Sequence, residues 1–522
     1  ITLSLTVHLI VRYRELNENQ DHDNKPTLTQ RQLVEETLRS KALPCFYTSI
    51  TTIVAFSSLI VSGIRPVIDF GIVMAIGTGV ALILAFTLFP ASLMLLPPQA
   101  HAQREDISGK ITGAVGEFIH RNQKKVLGIF TLLVIATVVG VSKLSVENSF
   151  INYYKDTTEI YQGMVLIDKK LGGTTPLEVI IDAPQSFLNP EPEEMEDESD
   201  LPFKDDVGMD MFDIDIPGME DEESIIDTSY WFNSFMLKDA AKIHYYLDNM
   251  DEIGKVLSIT TTMEMLEDLN DGDEINNFFL SIIHKNLPDS IKESLIKPHL
   301  SADGNQLRYT MRVYDSDPTL RRNELINNIK HGLVNDLGLK KEQVQVTGML
   351  VLYNNMLQSL FRSQILTLGF VFLAILAMFI VLFRNIKMAG LTIIPNIIAA
   401  GSILGLMGAI GIPLDIMTIT IAAIAIGIAV DNAIHYVHRF SEEFHKDRDY
   451  WKAIQRSHRS IGKAMYYTTL IIALGFSILA FSNFIPTIYF GLLTGLSMII
   501  ALAANLMLLP LLIVLVKPMG RT

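Results

Sequence analysis

Asp431 and His435 lie inside a run of Ile, Ala, Val and Gly, four residues apart, in a chain of 522 residues. That spacing puts both side chains on one face of a helix. A carboxylate within an apolar membrane span costs roughly 3 kcal/mol or more unless it is paired, and such acids mark ion or proton pathways. Burial disfavours the charged form, which suits a group that loads and releases a proton in every cycle. Histidine changes charge near neutral pH, so His435 can pair with the acid or pass protons on; an interfacial histidine near the headgroups fits the position equally well. Asn432 follows the acid, and Tyr466, Tyr467, Thr468 and Thr469 on the next apolar stretch are candidate hydrogen-bond partners. Asp415, at the other end of the span, reads as interfacial. The chain carries no Walker A loop, zinc motif or nucleophile elbow, so neither ATP, a metal, another cofactor nor catalysis is expected. Cys45 is the sole cysteine, which excludes an intramolecular disulfide and a cysteine metal cluster.

The elements that must position these residues are membrane helices. Hydrophobic residues make up 49% of the chain and charged ones 19%, with a mean hydropathy of +0.31, against about 25% charge in soluble domains. A crossing needs about 20 apolar residues. Candidate spans are 1–11, 44–64, 67–96, 126–142, 364–383, 388–411, 414–437, 464–484 and 487–516. The joints after 1–11 and 414–437 and the linker 99–125 are rich in Lys and Arg and fall on one side, which the positive-inside rule assigns to the cytoplasm. Segment 143–363 then lies outside. Its Leu177–Ile181, Lys255–Ile259, Gln306–Tyr314 and Gln343–Val346 read as strands, Phe235–Asn249 and Thr319–Leu337 as helices, and 262–304 shows no clean pattern. Within it, 185–230 holds about 17 acidic residues against Lys204 alone, and accounts for the net charge of −15. That insert reads as a solvated, self-repelling loop; Asp210, Asp213 and Asp215 do not follow the calcium-loop pattern. A basic nucleic-acid surface is excluded.

The chain also repeats itself. Stretch 44–98 aligns without gaps on 464–518, matching Tyr47 to Tyr467, Thr48 to Thr468, Phe56 to Phe476, Pro66 to Pro486, Phe70-Gly71 to Phe490-Gly491 and Pro90 to Pro510. Upstream, VHLIVRYRE (7–15) matches IHYVHRFSE (434–442). Both copies face the same way, a parallel repeat of a membrane half. Under it Ser4 stands where Asp431 stands, while His8 matches His435. Ala425, Gly427 and Ala429 give the Asp431 helix a small-residue face for packing at the pseudo-twofold axis. Because the chain opens inside an apolar run, roughly 300 further residues are expected before Ile1.

Two stretches, GIPLDIMTITIAAIAIGIAVDNAIHYVHRF (411–440) and VENSFINYYKDTTEIYQGMVLIDKKLGG (146–173), resemble the resistance-nodulation-division (RND) superfamily, in its MmpL-like, hydrophobe/amphiphile exporter branch. The resemblance covers nearly the whole chain. It implies a two-half, twelve-helix bundle, seen here from helix 4 to helix 12, with an extracytoplasmic α/β porter domain of βαβ units. The implied divisions are 1–98 (helices 4–6), 99–125 (cytoplasmic linker), 126–142 (helix 7), 143–363 (porter domain), 364–516 (helices 8–12) and 517–522 (cytoplasmic tail). It implies a multi-pass protein of the bacterial inner membrane that exports hydrophobic or amphiphilic molecules, in contact with membrane lipids and driven by protons, with a homo-oligomer open. The relay residues it implies are Asp431 and His435, with Ser4, His8, Asn432, Tyr467, Thr468 and Thr469 as partners. Many relatives carry an acid in both helices, and Ser4 breaks that symmetry. The rival reading is a sterol-sensing-type protein that binds lipid and regulates a partner without pumping.

Overall fold

Capping residues open the long helices. Thr29 accepts from Gln32 N, and the Gln32 side chain returns the bond to Thr29 N at 2.9 Å. Asp415 accepts from Thr418 N at 2.6 Å while Thr418 Oγ1 takes Asp415 N–H at 2.8 Å. Such reciprocal boxes satisfy the orphan N–H groups of a first turn. The structure, a computed structural model, describes residues 2–18, 29–95, 107–144, 146, 149–189 and 228–520. Most of the acidic insert, including Asp210, Asp213 and Asp215, lies outside the described residues. Two compact units emerge, one of residues 1–148, 152–155 and 356–522, the other of 149–151 and 156–355.

The chain opens with α1 (Thr2–Glu18), α2 (Gln30–Ser57, continued as a 3-10 turn to Ser62), α3 (Arg65–Leu95), α4 (Ile107–Arg121) and α5 (Gln123–Val141). Gly63, at φ 73°, provides the left-handed turn between α2 and α3. Helix α4 lies within the segment expected as the cytoplasmic linker, 99–125. Its glycines hid it, since glycine weakens a helix; here Gly109, Gly113 and Gly116 let α4 lie against the side chains of Lys463, Arg459 and His458.

The second unit contains α6 (Glu159–Lys170), β1 (Thr175–Asp182), α7 (Gln185–Leu188), α8 (Ser234–Asp248), β2 (Ile253–Leu257), α9 (Ile259–Leu269), α10 (Asn277–Asn286), α11 (Asp289–Leu295), β3 (Gln306–Val313), α12 (Arg322–Asn335) and β4 (Val344–Thr347). The patternless 262–304 resolves into three short helices. All four strands join one sheet in the order β2-β3-β1-β4, and the paired neighbours are antiparallel. The two strand-helix-strand units expected from the sequence are therefore interleaved, with β3 between β1 and β2. Leu177, Val179 and Ile181 of β1 and Leu307, Tyr309, Met311 and Val313 of β3 point into one core with Trp231, Phe232 and Ile329. Asp168 ties the sheet end: it takes the Thr174 hydroxyl at 2.6 Å and the N–H groups of Asp315 and Ser316 at 3.0 and 2.9 Å. Burial pushes its carboxyl up, but these bonds outweigh burial and hold it below the usual carboxylate range.

The chain then runs through α13 (Met349–Phe383), α14 (Ile386–Ile410), α15 (Ile416–Asp447), α16 (Tyr450–Ser477, then a 3-10 turn to Phe481), α17 (Ile485–Ala503), a π-turn at Ala504–Leu508, and α18 (Leu509–Val516). Helix α13 starts well before the expected span at 364, and α1 continues to Glu18 rather than ending at residue 11. Among the described residues, eight helices are long and apolar enough to cross a membrane. The internal repeat is visible as duplicated contacts. A Cβ on Gly71 would meet Phe56 O at 2.6 Å, and one on Gly491 would meet Phe476 O at 2.4 Å. Phe56 and Phe70 pack edge to face at 6.2 Å, and Phe476 and Phe490 do so at 5.9 Å.

Candidate proton site between the two repeat copies

Helix α15 is buried nearly all round; Ala425, Ala429, Val430 and Ala433 have no exposed surface. Its glycine makes close contact possible: a Cβ on Gly427 would stand 3.2 Å from Ala55 Cβ, and Thr52 Oγ1 donates to Gly427 O at 3.0 Å. One turn further along, Asp431 is 7% exposed. Ser4 Oγ of α1 donates to its Oδ2 at 2.6 Å, and His435 Nε2 lies 3.3 Å from its Oδ1. His435 in turn stacks on His8, with ring centroids 3.9 Å apart and planes inclined by 18°.

Of the expected partners, Ser4, His8 and His435 are gathered at the acid, whereas the α16 residues have other contacts. Thr468 donates to Met465 O at 3.0 Å, Thr469 accepts from Asn432 Nδ2 at 3.3 Å, and Tyr467 is 40% exposed, edge-on to Tyr466. The acid instead faces α2. A cavity of about 20 Å³, room for one water, is bounded by Ser4, Thr48, Ser49, Thr52 and Asp431. Sequence reasoning missed these α2 residues, although the repeat pairs Thr48 with Thr468 and Ser49 with Thr469. Asp415 is 4% exposed and spends its carboxylate on the α15 cap.

Beyond His8, towards the basic ends of α1 and α15, a second cavity of about 10 Å³ is bounded by His8, Arg12, Glu15, Lys41, Arg439 and Ser460. Glu15 bridges Arg12 at 2.9 Å and Arg439 at 2.8 Å. The arrangement is again duplicated: Arg12 Nε donates to Ser40 at 3.3 Å, and Arg439 Nε to Ser460 at 3.1 Å. Donor atoms of His8, Asp431 and His435 lie within 4.8 Å of one another, close enough for a metal ion. The stacked rings hold their nitrogen lone pairs in near-parallel planes instead of aiming them at one point.

At the opposite end of the same unit, both copies wall a cavity of about 560 Å³. Pro66 and Phe70 face their repeat equivalents Pro486 and Phe490 there, with Tyr153 and Phe484 alongside; Asp415, Thr420 and Thr487 supply its polar groups.

A duplicated membrane half with Asp431 buried where its two copies meet defines the class. The chain belongs to the MMPL family, whose profile matches residues 206–522, and it is a multi-pass membrane protein. Membrane protein MJ1562 of Methanocaldococcus jannaschii is 31% identical over 153 residues, 29% of this chain and 39% of that protein. The crystal structure of a heavy metal efflux pump shares the fold at TM-score 0.54 and 13% identity, over 99% of this chain and 60% of the pump. The hedgehog release protein Disp of the water bear Hypsibius dujardini shares it at TM-score 0.57 and 15% identity, over 98% of this chain and 62% of Disp. The chain thus spans under two thirds of the length of each of these proteins.

Proposed function

We propose that the protein is a proton-driven secondary transporter that exports hydrophobic or amphiphilic molecules from the bacterial inner membrane, with the α/β unit serving as an extracytoplasmic porter domain. The observation that carries this reading is the Asp431 site: a buried carboxylate held between the two repeat copies by Ser4 from one and His435 from the other. A group whose partners belong to different halves changes its environment when the halves move, and that couples protonation to rocking. Family membership supports transport across or out of a membrane. The cavity of about 560 Å³, walled by prolines and phenylalanines of both copies, has the size and lining of an apolar ligand site.

The decisive experiment is proton influx in proteoliposomes under an imposed pH gradient, with a hydrophobic test substrate. Asp431→Asn, nearly isosteric, should abolish influx while leaving the protein folded and inserted. Normal influx would transfer the assignment to the second reading, a lipid-binding regulator of sterol-sensing type. The observation that favours that alternative is the serine at position 4, which leaves the axis with one acid.

A further inference from the structure

We infer that the small chamber at the basic ends of α1 and α15 binds one monatomic anion of chloride size, held chiefly by Lys41. This goes beyond the transport reading and holds whether or not the protein pumps protons. The charges around the chamber carry it. From α1, Arg12 and Glu15 bound the cavity; from α2, Lys41; from α15, Arg439. Both arginines are engaged. Arg12 pairs with Glu15 at 2.9 Å, and Arg439 reaches Glu15 at 2.8 Å, Glu443 at 3.1 Å and Glu442 at 3.5 Å. Glu443 also takes Lys446 at 2.8 Å and Arg456 at 2.6 Å, and Arg456 takes Asp447 at 2.9 Å. In that network Arg12, Arg439, Lys446 and Arg456 balance Glu15, Glu442, Glu443 and Asp447 one for one. Lys41 is left over. It is half-buried, and among the described residues its ammonium has neither an ion pair nor a hydrogen bond. An ammonium withdrawn from water without a counter-charge is costly.

The repeat marks Lys41 as an addition. Arg12 and Ser40 have Arg439 and Ser460 as equivalents, but Lys41 stands where the second copy has Ile461, and both of these residues bound the chamber. The extra cation belongs to the first copy alone. A second polar group points to the same ligand. His8 also bounds the chamber, has no exposed surface, and neither ring nitrogen has a hydrogen-bond partner. His435 lies behind that ring, toward Asp431, and does not bound the chamber. Ser460 Oγ is occupied by Arg439 Nε at 3.1 Å. Spare donors therefore come from Lys41, from one imidazole N–H of His8 and from the remaining guanidinium N–H groups, while the one carboxylate on the wall, Glu15, is already shared by two arginines. Donors in excess of acceptors, one of them charged, suit an anion. Size sets its class. A cavity of about 10 Å³ takes one water-sized particle, which excludes phosphate, sulfate and carboxylates. Chloride is only slightly larger than water, and the flexible Lys41 stem can retreat by the difference.

The test uses the full chain in detergent, with thermal unfolding followed as chloride replaces gluconate at constant ionic strength. Above half-saturation the midpoint should climb in proportion to the logarithm of chloride concentration, as for any ligand that binds the folded state alone. Lys41→Met should flatten that dependence, and Lys41→Arg should keep it. In gluconate, Lys41→Met should melt no lower than the unmodified protein, because the charge it removes has no partner there. Equal midpoints in chloride and gluconate for the unmodified protein overturn the inference. So does a chloride dependence that survives Lys41→Met, which would place the ions on the outer surface. Should the variants not fold, crystals of the unmodified protein grown in bromide decide: an anomalous peak between Lys41, Arg12 and His8 supports the site, and its absence refutes it.

Discussion

Ser4 and Asp431 are joined by a 2.6 Å hydrogen bond across 427 residues, and 427 is also the offset at which the first copy of this helix aligns on the second. Two positions equivalent under a twofold operation can touch each other only near its axis. His8 and His435, equivalent by the same offset, stack on one another. The acid therefore sits on the pseudo-twofold axis, where each half feels the other's movement most directly.

Ser4→Ala should weaken the protein without silencing it. Oδ2 of Asp431 loses its donor in a buried site, a loss worth about 1–3 kcal/mol. The thermal unfolding midpoint in detergent should fall, and proton influx should drop severalfold yet persist. An unchanged midpoint would show that Ser4 does not hold the acid.

Gly140→Ala should be far more damaging than Gly128→Ala. A Cβ on Gly140 would stand 2.0 Å from Gly405 O, while one on Gly128 meets nothing within 4 Å. The first forces α5 and α14 apart, an overpacking penalty of about 1–3 kcal/mol. Paired thermal melts of the two variants check this directly.

The Asp168 cap predicts loss of order at low pH in the α/β unit. Its carboxyl is held below the usual range by the bonds from Ser316, Thr174 and the Asp315 backbone, against burial. A group with a lowered folded pKa contributes fully above its unfolded value, about 3.9, and loses that contribution as pH falls through the folded value. Amide exchange at Asp315 and Ser316, corrected for its intrinsic rate, should accelerate below about pH 4. Asp168→Asn should remove that dependence and raise exchange already at neutral pH.

Filling the large cavity should separate ligand binding from proton handling. Thr487→Trp places an indole between the walls at Phe70 and Phe490. Binding of a fluorescent long-chain alcohol in nanodiscs should weaken roughly tenfold, the scale of one lost apolar subsite. Asp431→Asn should leave that titration unchanged.

Much of this was legible in the sequence, because membrane helices announce themselves by length and hydropathy and a duplicated half repeats its prolines. Asp431 stood out for the same reason: one charge among Ile, Ala and Val. The strands at β1 and β3 were legible from alternation along their inward faces. Ser4, His8 and His435 were legible from the repeat and the helical spacing, but the polar residues that line the cavity beside the acid were not. Periodicity placed Thr468 and Thr469 on a neighbouring helix, but which helix faces the acid is a matter of packing across the axis, and the structure gives that place to Thr48, Ser49 and Thr52 of α2. Helix α4 was hidden by its glycines, whose value lies in close packing and not in propensity. The cross-copy bridge from Glu15 to Arg439 joins side chains too far apart in sequence for any local rule to pair.

The π-turn at Ala504–Leu508 falls opposite Leu84–Leu88 of the first copy, which lies inside the unbroken α-helix Arg65–Leu95. The alignment there has no gap, so the two copies spend equal numbers of residues on differently wound rods. His458 holds the wide turn through Nε2 to Leu506 O at 2.9 Å, and its Nδ1 meets Tyr436 OH of the Asp431 helix at 3.2 Å. The extra width therefore belongs to the second copy alone, and a single buried imidazole joins that widened turn to the helix that carries Asp431.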